Sequence, residues 1–179
     1  MPEAKLRIED DAELEDLAFL GREFLTWLLW RVDRGEGTFG DFSVSFGTRV
    51  RLKGVSGDAT DAILKGGAAA HSSAARAAVG AGRTLRDADL RIVRGDREWR
   101  FGLDAETLDL RAVKLPALLT EEDDDRFLER MALIDELDGM VKEAFLEFLR
   151  DRSRPAWNRS VLPALRDWLV DGLRIDNRA

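Results

Sequence analysis

The chain has no cysteine and no tyrosine, a single histidine and four prolines among its 179 residues. Each shortage removes a class of chemistry. Without cysteine there is neither a disulfide framework nor a cysteine-ligated zinc site, a composition that suits a reducing compartment. With His71 alone, a metal site built from several histidines lacks its ligands, and any Ser-His-Asp arrangement would have to be built on that one residue. His71 lies beside Ser72 and Ser73, but adjacency in sequence does not make a triad, and an ordinary loop or cap residue is the simpler reading. Long hydrophobic runs are missing too. The most apolar stretch, Phe24 to Trp30, is far too short to cross a bilayer and is flanked by Arg22, Glu23 and Arg31. Met1 to Asp16 is polar and acidic with no apolar h-region, so no secretory signal is expected and the localisation reads as cytoplasmic.

Charge is plentiful. Lysine and arginine number 28 against 35 acidic residues, a formal net charge of −7, and 35% of the chain is charged. That balance argues against coating nucleic acid by bulk charge, but binding answers to the local field, so a basic face stays open. The length suits a single domain spanning 1–179. Three regions divide it: an N-terminal helix over 11–34, a sheet region with a short helix over 40–116, and C-terminal helices over 120–175.

Periodicity supports that division. Leu14, Leu17, Phe24 and Leu28 share one helical stripe, and the second half of this helix is apolar nearly all round before Gly35, Gly37 and Gly40 end it. Period two then takes over. Phe42, Val44 and Phe46 alternate with serines, and Val50 and Leu52 with Arg49, Arg51 and Lys53, which predicts two strands joined by a turn at Gly47-Thr48. Ala59 to Leu64 predicts a third strand, and Ser72 or Ser73 a cap for a short helix through Val79. Leu90 and Ile92, then Trp99, Phe101 and Leu103, predict a hairpin around Gly95-Asp96, and Leu108 and Leu110 a further strand. Thr120 is placed as the cap of an acidic helix start, Glu121 to Asp125. Phe127, Met131, Ile134, Val141, Phe145 and Phe148 form the stripe of the helix that follows, which Pro155 breaks. The last helix carries Trp157, Val161, Leu165, Trp168 and Leu169, with Pro163 in its first turns. The expected class is α+β, an antiparallel sheet packed against an N-terminal helix and C-terminal helices.

Candidate chemistry is sparse. Glu121 to Asp125 lacks the spacing and glycine of a calcium loop, and a solvated helix start favoured by the dipole accounts for it without a metal. Gly35, Gly37 and Gly40 follow a helix and no Gly-Lys-Ser/Thr ends them, so they form no phosphate loop. No catalytic residue, metal or cofactor is expected. Trp27 and Trp30 read either as buried core or as the seam of a protein interface, where tryptophan is favoured. Strand phasing puts Arg49, Arg51, Lys53, Arg91, Arg100 and Arg111 outward, diluted by Asp89, Glu98 and Asp109. Such a face either meets phosphates without reading bases or is the ordinary polar side of an antiparallel sheet. Arg150, Arg152, Arg154 and Arg159 form a second basic cluster with the same two readings.

The order of these segments resembles a known family. The run Phe19-Leu-Gly-Arg-Glu-Phe-Leu-Thr-Trp-Leu-Leu-Trp30 is similar to a segment of the RdgC family of recombination-associated proteins. Ser72 to Arg83 resembles that family's short helix ending in a Gly-Lys pair, here Gly82-Arg83. The strands Ala88–Ile92 and Glu98–Leu103, the stretch Leu108–Leu115, the acidic Glu121–Asp125 and a long apolar helix follow in the same order. The similarity covers roughly Leu17 to Leu149 and concerns the family's C-terminal half. It implies a non-enzymatic protein that binds DNA with little sequence preference, restrains RecA-type recombinases and forms ring-like dimers with a positively charged interior. The nucleoid would then be its place of work. The competing expectation is a protein-interaction module or accessory subunit that holds a protein partner without touching DNA.

Overall fold

The computed structural model describes residues 22–54, 62–66 and 68–176, with backbone alone at 68–72 and 173–176. The expectations for Leu14, Leu17 and Ala59 lie outside the described residues, as does the side chain of His71.

The fold is α+β: a six-strand antiparallel sheet with the N-terminal helix and the C-terminal helices packed against it. The first helix, α1, is described over residues 22–33. Phe24, Leu25, Trp27, Leu28, Leu29 and Trp30 are all buried, which is why this stretch is apolar on every side. The strands are β1 (Thr38–Phe39), β2 (Phe42–Lys53), β3 (Ala62–Lys65), β4 (Thr84–Arg94), β5 (Arg97–Asp104) and β6 (Leu110–Lys114). Helix α2 (Ala68–Gly80) separates β3 from β4. After the sheet come α3 (Asp123–Ser153), a π-helical turn at Trp157–Val161 and α4 (Leu162–Asp176).

The strand order is β1-β2-β4-β5-β6, and β1 and β3 share the free edge of β2, one at each end. Every pairing is antiparallel. Strands β4 and β5 form the expected hairpin, and Gly95 takes the positive φ of 61° that its tight turn requires. Phe42, Val44, Phe46, Val50, Leu52, Ala88, Leu90, Ile92, Trp99, Phe101 and Leu103 all point to one buried face. One hydrophobic cluster joins that face to α1, α3 and α4. Phe148 is its hub, with ring centroids 5.7 Å from Phe24, 5.6 Å from Trp27 and 5.9 Å from Trp157. The Trp99 indole N–H donates to the Leu133 carbonyl at 3.1 Å, pinning β5 to α3 in a fully buried setting.

Several local expectations are corrected. Gly47-Thr48 is not a turn: β2 runs through it as one strand of 12 residues. Between Phe46, opposite Leu90, and Val50, opposite Ala88, β2 spends two more residues than β4, so the site is a bulge. A Cβ on Gly47 would stand 3.1 Å from Asp89 Cβ, so the close approach of β4 explains the glycine. Helix α2 begins at Ala68, so Ser72 and Ser73 lie inside it rather than capping it. The alanines ahead of them have the highest helix propensity and extend the helix backwards. Leu108 is a turn residue with φ 60°, and the last strand starts at Leu110. Thr120 does not cap α3. The N-cap position is Glu122, and the N–H and hydroxyl of Thr120, together with the Leu119 N–H, donate to Glu129 in the second turn of the helix. On α3 the buried positions are Leu133, Leu137, Met140, Ala144 and Phe148. Of the expected stripe, Phe148 is buried and Val141 and Phe145 are half-buried, whereas Phe127, Met131 and Ile134 are exposed. The helix carries two apolar lines, and the one that meets Trp99 and α1 forms the core. Pro163 sits in the first turn of α4 as expected. It has no N–H to return to residue 159, and the turn ahead of it widens to a π-helix.

Trp27 and Trp30 are core residues, 0% and 6% exposed, and offer no surface to a partner. Their neighbours are intramolecular: the Arg31 guanidinium lies 5.1 Å from the Trp27 ring and that of Arg34 4.8 Å from the Trp30 ring. Among the described residues neither indole N–H has an acceptor.

Candidate nucleic-acid interface

Alternation sends every second residue of the sheet away from the core. Arg49, Arg51 and Lys53 leave β2 on the outer side, Arg91 leaves β4, Arg100 leaves β5 and Arg111 leaves β6. All six residues singled out by strand phasing therefore share one face. Register adds two more cations. Lys65 stands opposite Arg49, and Lys114 opposite Arg100. Both were missed because the alternation was followed only to Leu64 and Arg111. The pattern Arg111-Ala-Val-Lys114 carried the signal, with an extra residue at Ala112, whose φ is 50°.

Carboxylates are threaded among these cations. Arg49 donates to Asp89 at 3.1 Å and lies 3.9 Å from Asp87, which Arg51 also approaches at 3.4 Å. Lys53 lies 3.6 Å from Glu106, and Arg111 2.7 Å from Asp104. Glu98 is shared: Arg91 reaches one of its oxygens and Arg100 the other, each at 2.5 Å. Among the described residues Lys65 and Lys114 have no ion pair. The face thus holds eight cationic side chains against Asp87, Asp89, Glu98, Asp104 and Glu106, and its surplus charge is positive. Among the described residues the buried Nε–H of Arg51 has no acceptor.

The side chains remain accessible. Arg100 is 64% exposed, Arg111 55% and Arg91 47%. Surface ion pairs of this kind contribute about 0–1 kcal/mol each, so an arriving anion can replace a carboxylate at small cost. The bulge at Gly47 and the irregular β6 bow the face into a hollow of about 560 Å³, lined by Arg49, Asp89, Arg91, Arg100 and Lys114 among others.

Two carboxylates here are held below their ordinary range. For Glu98 the main cause is the hydrogen bond from Arg91, followed by that from Arg100. For Asp104, burial opposes the charge. The N–H groups of Glu106 and Thr107, at 2.8 and 3.1 Å, and the Arg111 guanidinium together outweigh it. Arg91 is raised in turn by its bond to Glu98. These groups stay fully charged at neutral pH, which suits electrostatic contact and gives no general acid or base.

The other candidates do not gather here. Arg152 turns onto Glu23 of α1, and Arg154 onto Asp151. Glu121 to Asp125 is exposed, and among the described residues no three His, Asp or Glu side chains converge as a metal would require. Among the described residues no helix is long and apolar enough to cross a membrane. No family model and no curated protein sequence matches the chain.

Proposed function

We propose that this chain is a non-enzymatic DNA-associated protein that grips the phosphate backbone with its outer sheet face and reads no sequence. What carries the proposal is the gathering of eight cationic side chains on one accessible face. Phosphate contacts of this kind supply affinity without base information. Among the described residues the outer face presents no aromatic side chain for base stacking, because Trp99, Phe101 and Phe46 all point into the core. The family resemblance supports the same reading. It adds a role in modulating RecA-dependent recombination, a cytoplasmic site of action at the nucleoid, and assembly as a homodimer.

The test is fluorescence anisotropy of labelled single- and double-stranded DNA, titrated with purified protein across a range of salt. Micromolar or tighter binding that weakens steeply with salt and ignores sequence is the expected result. Absence of binding at low salt overturns the proposal.

A further inference from the structure

Helix α3 is longer than the body it packs on. Its first ten residues, 123–132, include no buried side chain, and the helix meets the core only from Leu133 onward. On this overhang Phe127, Leu128, Met131 and Ile134 are 62%, 64%, 50% and 42% exposed. They are not scattered. Their spacing of one, three and three residues gathers them on one side of the helix, over about 10 Å of its length. The core-facing line Leu133-Leu137-Met140 lies on another side, so the exposed line is surplus to the chain's own packing. A grouped line of large apolar side chains on a soluble helix marks an interaction surface.

The charges around the line choose its occupant. Asp124 stands one turn before Leu128, Asp135 one turn after Met131 and Asp138 one turn after Ile134. All three are exposed, and among the described residues none has an ion pair. Glu121 to Asp125 add to the same end of the helix. Arg126 and Arg130 border the line on the core side and are outnumbered. An apolar line within a negative rim repels an anionic membrane surface. It also repels a second copy of itself, which carries the same net charge. The chain's own Met1–Asp16 is acidic as well.

We infer that the overhang of α3 is a docking site for a basic amphipathic helix of a protein partner. The partner's apolar side chains would lie along Phe127, Met131 and Ile134, with its lysines or arginines against Asp135 and Asp138. This is helix-against-helix recognition with anchors at three- and four-residue steps. A line of two turns sets the affinity in the micromolar range rather than tighter. The inference is independent of the proposal for the sheet face, which lies on the other side of the core.

The probes are two labelled 18-residue peptides, one of leucine and lysine in an amphipathic helical pattern, the other with glutamate in place of every lysine. Anisotropy against the full chain should show micromolar binding of the basic peptide and at least about tenfold weaker binding of the acidic one. Met131→Lys, on an exposed position, should weaken the basic peptide by about tenfold or more with an unchanged circular dichroism spectrum. The pair Asp135→Asn and Asp138→Asn should weaken it less at high salt than at low salt. Equal binding of both peptides, or binding indifferent to Met131→Lys, overturns the inference. So does a concentration-dependent dimer in sedimentation velocity that Met131→Lys abolishes, because the occupant is then a second copy.

Discussion

Replacing both Arg91 and Arg100 with alanine isolates the electrostatic part of the sheet face. These two guanidiniums share one carboxylate, Glu98, so the trio carries a net charge of +1. Each phosphate neutralised adds about 0.9 to the slope of log affinity against log salt, so at 0.1 M salt one contact is worth about eightfold. Removal of both cations leaves Glu98 bare and turns the trio from +1 to −1. The slope should therefore fall by between about one and two, and affinity at 0.1 M salt by roughly 8- to 60-fold. Glu98→Gln tests the opposite direction. It raises the trio to +2 and should tighten binding by up to about eightfold at 0.1 M salt. The assay is the anisotropy titration repeated at four or more salt concentrations, with thermal melts to show that each variant is folded. A double variant with the wild-type slope would remove β4 and β5 from the interface, whatever its affinity.

Other expectations follow from the packing and the charged turns. Trp99→Phe deletes a buried indole N–H bond to a carbonyl that keeps its helical partner, so it should destabilise by about 1 kcal/mol from the hydrogen bond, with a packing loss added, in urea melts. Trp27→Phe removes an indole N–H that has no acceptor, and its loss should come from packing alone and be smaller than that of Trp99→Phe. Asp104→Asn weakens the bonds to two turn N–H groups and the pair with Arg111, with a cost of about 2 kcal/mol at pH 7. Because the folded-state pKa of Asp104 is depressed below its ordinary value of 3.8, this stability is present above that value and lost as pH falls through the folded one. The gap between wild type and Asp104→Asn should therefore close below pH 3.8, and a constant gap would contradict the assignment. Glu129→Ala releases the N–H groups of Leu119 and Thr120, and hydrogen exchange should quicken there while β4 and β5 stay protected.

Period-two segments were legible in the sequence because one face of each is buried and the other is not. Leu90, Ile92, Trp99, Phe101 and Leu103 gave the hairpin its phase and with it Arg91 and Arg100, while Val50 and Leu52 placed Arg49, Arg51 and Lys53, and Leu110 placed Arg111. What stayed hidden depended on a third body. Gly47 suits a turn or a bulge equally, and only the approach of Asp89 selects the bulge. Two apolar lines run along α3, and local spacing does not say which of them Trp99 will meet. Thr120 has the chemistry of a cap, but the N-cap falls two residues later, at Glu122, and the threonine hydroxyl is taken by Glu129. The acidic partners were half legible. Asp89 and Glu98 sit mid-strand where alternation exposes them, whereas Asp87, Asp104 and Glu106 lie near strand ends where alternation breaks down.

The bulge in β2 has a consequence for insertions and deletions. Two surplus residues, not one, separate Phe46 from Val50, so the strand keeps its parity across the irregularity. Loss of Thr48 alone would shift everything downstream by half a period. Arg49, Arg51 and Lys53 would then turn into the core, with Val50 and Leu52 facing water. Loss of Gly47 and Thr48 together would restore parity and merely straighten the strand. The longer deletion should therefore be the milder one, tolerated where the single-residue deletion is not.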